Sequence, residues 1–118
     1  MKRDSVYLDH ILKEMDFLQG CMSQYAFADI TRDEVLKRSV IRSLEVIGEA
    51  AKNVSPECRR RYPGIPWKGM AGLRDRLIHA YFSINWELVS DVILIEIPAI
   101  HFQIRELHAD ELKREKGL

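Results

Sequence analysis

The sequence predicts an all-α protein, an up-and-down bundle of four main helices with one short additional helix. Three observations carry this. Apolar residues recur at i, i+3, i+4 and i+7 through long stretches. No stretch alternates with period two over a useful length, so no strands are expected. Capping residues and prolines fall mostly between the apolar stretches. At 118 residues the chain makes one domain, spanning 1–118, large enough to bury a single core without staples. It contains no internal repeats and no linkers.

The first helix is expected over roughly Asp4 to Tyr25, where Leu8, Ile11, Leu12, Met15, Leu18, Met22 and Tyr25 form one stripe. Phe27 to Ile30 reads as a connector. Thr31 and Glu34 have capping-box spacing, so the second helix should start there and present Leu36, Val40, Ser43, Leu44, Ile47 and Ala51 on one face. Gly48 lies inside it, where a missing side chain lets another helix approach closely. Pro56 stops this helix near Asn53 to Ser55. Ser55-Pro56-Glu57 then starts a short third helix as N-cap, first-turn proline and early acid. In the connector Tyr62-Pro63-Gly64-Ile65-Pro66-Trp67, Ile65 and Trp67 are expected to plug the core. The central helix should run from about Lys68 through His79. Asn85 is an N-cap for a last helix from Trp86 to about His108, kinked by Pro98. Residues 110–118 read as a frayed charged tail.

Val92 to Ile95, Ile97 and Ile100 are apolar around most of the last helix. Such a helix needs burial on two sides, so either the core surrounds it or a partner subunit covers one side.

Composition narrows the class. Hydrophobic residues make up 47% and charged residues 31%, which suits a soluble globular protein. No signal peptide opens the chain, and the longest apolar run is far too short to span a bilayer. A cytoplasmic location without membrane association is expected. Cys21 and Cys58 form no CxxC pair and read as buried or free thiols. Net charge is zero, yet Lys52 to Arg76 holds seven basic and two acidic residues. That basic middle suits phosphate binding, or else a solvated face with cations at helix ends.

The chemistry concentrates in Leu73-Arg74-Asp75-Arg76-Leu77-Ile78-His79-Ala80-Tyr81-Phe82. On a continuous helix Asp75 and His79 would be i,i+4 neighbours. Arg74 and His79 would lie roughly 140° apart around it, too far to converge on one atom. Either the helix ends near His79, or a second copy supplies the missing group. No histidine pair has metal-ligand spacing, so neither a metal nor another cofactor is expected. Without a nearby histidine, Cys58 is read as structural even in its basic setting. One reading makes His79 a helix C-terminal cation and Tyr81 a core residue. The other is phosphodiester cleavage of RNA. Histidine moves protons near neutral pH and arginine grips phosphate. One histidine per chain cannot be both acid and base, but a two-fold dimer supplies two.

Arg74-x4-His79-x-Tyr81, with the segments Ile41 to Asn53, Tyr62 to Trp67 and Trp86 to Val89, resembles the HepT-like HEPN ribonuclease toxins and their RX4HXY signature. The resemblance covers most of the chain up to about Ile104. It implies an all-helical homodimer with a composite, metal-independent site that cuts RNA. It implies that Arg74 and His79 are catalytic and that Asp75 supports them, where many relatives carry Asn. It implies a partner, a minimal nucleotidyltransferase antitoxin of the MntA type, that silences the toxin by transferring AMP to Tyr81. Lys68 and Arg76 are RNA-binding candidates. The alternative from another class is a non-catalytic HEPN module that binds RNA or a nucleotidyltransferase without cutting.

Overall fold

A computed structural model describes residues 3–80 and 83–117, the side chains of His79 and Ala80 excepted. Helix α1 spans Asp4–Gln24 and buries most of the expected stripe, Leu8, Ile11, Leu12, Met15 and Leu18, but Tyr25 follows the helix end in extended backbone and is exposed. A short helix α2, Phe27–Arg32, follows where a connector was expected. Its Ile30 is fully buried, and Phe27 lies 6.3 Å from Trp86, ring centre to ring centre. Helix α3, Glu34–Asn53, buries Val40, Leu44, Ile47 and Ala51. The expected capping box does not form. Thr31 lies within α2, and its hydroxyl donates back to the Ala28 carbonyl at 2.9 Å. Asp33 caps α3 instead, its Oδ1 accepting from the Val35 and Leu36 amides at 2.9 and 3.0 Å.

Ser55 starts α4, Pro56–Arg61, as expected: its hydroxyl accepts from the Cys58 amide at 3.2 Å. The following connector is pinned by Trp67, whose indole N–H donates to the Tyr62 carbonyl at 3.0 Å. Ile65 and Trp67 are both buried in the core. The single central helix is in fact two short ones, α5 (Trp67–Ala71) and α6 (Leu73–Leu77), meeting at Gly72. Helix α5 crosses α3 so closely that a Cβ built on Gly48 would lie 3.2 Å from the Met70 carbonyl oxygen.

The chain leaves α6 in extended form. Ile78–Ala80 (β1) and Ser83–Ile84 (β2) pair antiparallel, Ile78 opposite Ile84 and Ala80 opposite Ser83, with an irregularity between. This corrects the expectation of no strands. Ile78 and Ile84, opposite each other in the ribbon, are of the β-branched type that favours extended backbone. The ribbon is too small to change the all-α class, and the described chain has the all-α, HEPN-like character expected.

Asn85 caps α7 (Trp86–Asp91), accepting from the Leu88 amide at 3.1 Å. A π-helical turn, Val92–Glu96, joins it to α8, Ile97–Glu115. The disturbance expected at Pro98 takes this form. Pro98 offers no N–H, and the preceding Ile97 amide reaches five residues back to the Val92 carbonyl. Helix α8 also continues through the stretch expected to fray. Glu111 is buried there and accepts from Arg61 and Tyr62. Glu115 accepts from the Ser5 amide at 3.1 Å. Helix α1 packs against both α3 and α8, and the core lies between them. Among the described residues, no helix is long and apolar enough to cross a membrane.

Candidate active site

Helix α6 is short but firmly seated. Leu73 and Leu77 are buried, which turns Arg74 and Asp75 to the outside. The helix ends at Leu77, and Ile78 is already extended, with φ −114° and ψ 110°. The backbone of His79 is therefore on β1. The helical i,i+4 pairing of Asp75 with His79 is lost, and so is the fixed angle between Arg74 and His79. Of the two solutions open to the sequence, the chain adopts the first: its helix stops before the histidine. The side chain of His79 and the whole of Tyr81 lie outside the described residues.

The two arginines flanking Asp75 differ sharply. Arg76 donates through both terminal nitrogens to the Glu96 carboxylate at 3.2 and 3.0 Å. That bidentate pair ties α6 to the π-turn and leaves the Arg76 side chain 35% exposed. Arg74 is 70% exposed, and its contact is a looser one, Nε to Glu45 Oε2 at 3.8 Å. Lys68 is exposed on α5 and has no ion-pair partner among the described residues.

The basic middle of the chain is largely internal bookkeeping of the fold. Arg59 donates to the Ala51 and Lys52 carbonyls at 2.6 and 3.1 Å and so closes the C-terminus of α3. Arg61 pairs with buried Glu111, and Arg60 lies 3.8 Å from Glu57.

Cys58 is buried, and that burial pushes its thiol up to about 12, with the charges of Glu111 and Asp4 adding to the effect. A reactive thiolate is excluded by this environment. The ligating atoms of Asp4, Cys58 and Glu111 lie within 4.8 Å of one another. Asp4 accepts from the Ser55 amide and hydroxyl, both at 2.7 Å, while Arg61 and Tyr62 occupy Glu111. The group stitches the start of α1 to α4 and to the end of α8.

Two partners in this region were missed from sequence: Glu45 and Glu96. Glu45 lies 29 positions before Arg74, and Glu96 lies 20 positions after Arg76. No local spacing could have announced either. The last helix answers its own question in part. Val92, Ile93 and Ile97 are core residues, whereas Leu94, Ile95 and Phe102 are 47, 65 and 65% exposed.

A family model described as "Ribonuclease HepT-like" matches residues 11–107. The chain belongs to the HepT-like ribonuclease family, and the enzyme class expected from the motif, a ribonuclease, stands with it. It is 44% identical to "Putative RNase TTE0752" of Caldanaerobacter subterraneus over 98% of this chain and 100% of the relative. It is 35% identical to "Probable ribonuclease HepT" of Thermococcus cleftensis over 86% of this chain and 92% of the relative. No solved structure matches the chain.

Proposed function

We propose that the protein is the toxin of a toxin–antitoxin pair and cuts RNA without a metal, at a site completed by two copies of the chain. The observation that carries the assignment of Arg74 is the contrast between the two arginines. Arg76 is held by Glu96, while Arg74 keeps most of its guanidinium in solvent four residues before the extended backbone that carries the histidine begins. In the reaction a base removes the proton of a ribose 2′-hydroxyl. The new oxygen–phosphorus bond displaces the 5′-oxygen, which takes a proton from an acid. The His79 copies of the two protomers fill these roles, and Arg74 neutralises the phosphoryl oxygens. Asp75 supports the pair from the exposed face of α6, beside Arg74 and no longer a helical neighbour of His79. Lys68 attracts the RNA backbone. A nucleotidyltransferase of the MntA type silences the enzyme by moving AMP from ATP to the Tyr81 hydroxyl and releasing pyrophosphate.

The membership in a ribonuclease family and the exposed apolar side chains of the last helix support this reading. The test is incubation of the purified protein, unmodified at Tyr81, with total RNA in the presence of a chelator. Cleavage is expected. His79→Ala should abolish it. Arg74→Lys should lower it at least about a hundredfold, because a lysine cannot reproduce the fork. RNA bound but uncut by the folded wild type would make the protein a binding module instead.

A further inference from the structure

We infer that Glu45 is a positioning residue for Arg74, holding the guanidinium by its inner edge so that the terminal nitrogens face the phosphate. The inference rests on the reading of Arg74 as the phosphate-binding arginine. It concerns a residue on a different helix, 29 positions away in sequence.

Three observations carry it. The first is which nitrogen Glu45 meets. A guanidinium has five N–H groups in a rigid plane, and its terminal pair forms the fork that matches two phosphate oxygens. Glu45 Oε2 lies 3.8 Å from Nε, the nitrogen outside that fork. Among the described residues the terminal nitrogens make no hydrogen bond. The opposite arrangement exists in the same helix for comparison. Arg76 gives one N–H of each terminal nitrogen to Glu96, so its end-on fork is already occupied.

The second is that Glu45 is a fixed point. Its side chain is only 28% exposed, against 70% for Arg74. It projects from the middle of α3, where Leu44 is buried and Ile41 packs against the core. Leu44 and Ile41 close with Leu77 and Ile78 around the same small crevice that Glu45 and Arg74 border. The contact of α5 with Gly48, one turn further along α3, sets the spacing of the two layers. The carboxylate is thereby placed relative to α6 by packing and not by the ion pair itself.

The third is the strength of the contact. A separation of 3.8 Å is a coulombic attraction and not a hydrogen bond. It restricts the arginine without competing fully with an incoming phosphate. An exposed arginine otherwise samples many rotamers, and a weak coulombic restraint at Nε biases it toward one orientation before substrate arrives. A carboxylate gripping the fork would have blocked the site; one at the inner edge aims it.

The experiment uses a short RNA and its uncleavable counterpart with a 2′-deoxyribose at the cut. Glu45→Ala should lower kcat about tenfold, the scale of losing a group that orients a reacting one. It should weaken binding of the uncleavable RNA about threefold. Glu45→Gln keeps an acceptor oxygen in the same shape and should recover part of both, which also guards against a simple folding defect. In an Arg74→Ala background, Glu45→Ala should change RNA affinity no further, since its effect runs through the arginine. Cleavage by Glu45→Ala at the wild-type rate overturns the inference while leaving the Arg74 reading intact, provided that Arg74→Ala is inactive. An equal loss of affinity in both backgrounds overturns it too, because Glu45 would then act elsewhere. Full activity of Arg74→Ala overturns the arginine reading and the inference together.

Discussion

Single side chains that act on their immediate neighbours set the ends and spacing of the helices. Ser55 and Asn85 cap the helices they precede, and Gly48 admits the backbone its missing side chain allowed for. Thr31 failed because two capping residues compete within three positions, and Asp33 reaches two amides of α3. The thiols make a sharp chemical prediction. Burial raises the Cys58 thiol to about 12 and also raises that of Cys21, so both should resist iodoacetamide at pH 8 in the native protein and react after urea unfolding. Labelling of native Cys58 at the rate of a free thiol would contradict its buried environment. The same shift has a stability consequence. The native thiol stays protonated where an unfolded one ionises, so its contribution is intact below about pH 9 and is lost as pH climbs toward 12. Cys58→Ala should flatten that alkaline decline in urea titrations. Tyr81 supplies the regulatory test. Mass spectrometry after incubation with the nucleotidyltransferase partner and ATP should find one or more added AMP units on the wild type and none on Tyr81→Phe. Equal labelling of both would leave Tyr81 without its proposed role.

Elements that depend on remote partners leave little trace in local sequence. Periodicity placed α1 and α3 well because a stripe is a local property of a helix. The charged end of α8 looked unsupported for the same reason: its partners are Arg61, Tyr62 and Ser5, about 50 or 110 positions away. The end of the motif helix was misjudged differently. Ile78 to Ile84 has tolerable helix formers, but β-branched and aromatic side chains dominate, and the ribbon partner decided the outcome. The motif itself was legible by its spacing, while the environment of each of its arginines was not. Because α8 is anchored beyond His108, shortening it has a cost. Truncation after His108 should lower the melting temperature clearly, which a frayed tail would not do. The point substitution Glu111→Ala takes the acceptor from Arg61, whose side chain still reaches solvent, and should cost about 1–3 kcal/mol in urea unfolding. A loss below about 1 kcal/mol would mean that the pairing contributes little.

On the scale of the whole molecule, one chain presents one motif histidine and leaves Leu94, Ile95 and Phe102 in solvent. A two-fold partner would address both facts at once. Light scattering at micromolar concentration should therefore give the dimer mass. Ile95→Glu should shift the protein to monomer and remove RNA cleavage in parallel, with circular dichroism unchanged. A folded monomeric variant that still cuts RNA at the wild-type rate would dispose of the composite site.

The turn from Val92 to Glu96 carries a consequence for how this chain can change over generations. Its five-residue hydrogen bond is what a helix makes when it holds one residue more than its period accommodates. Removing any one residue there would restore the ordinary pitch and swing Trp86–Asp91 by roughly 100° relative to Ile97–Glu115. Val89, fully buried in the present arrangement, would leave the core, or Ile97 and Ile104 would. Because Asn85 ties the start of α7 to the Leu77 carbonyl at 2.8 Å, the same swing would drag the ribbon that carries the histidine. Substitutions in this turn are absorbed locally, but single insertions and deletions are not. The position of the strand that carries His79 is thus keyed to how many residues the turn holds as much as to which ones.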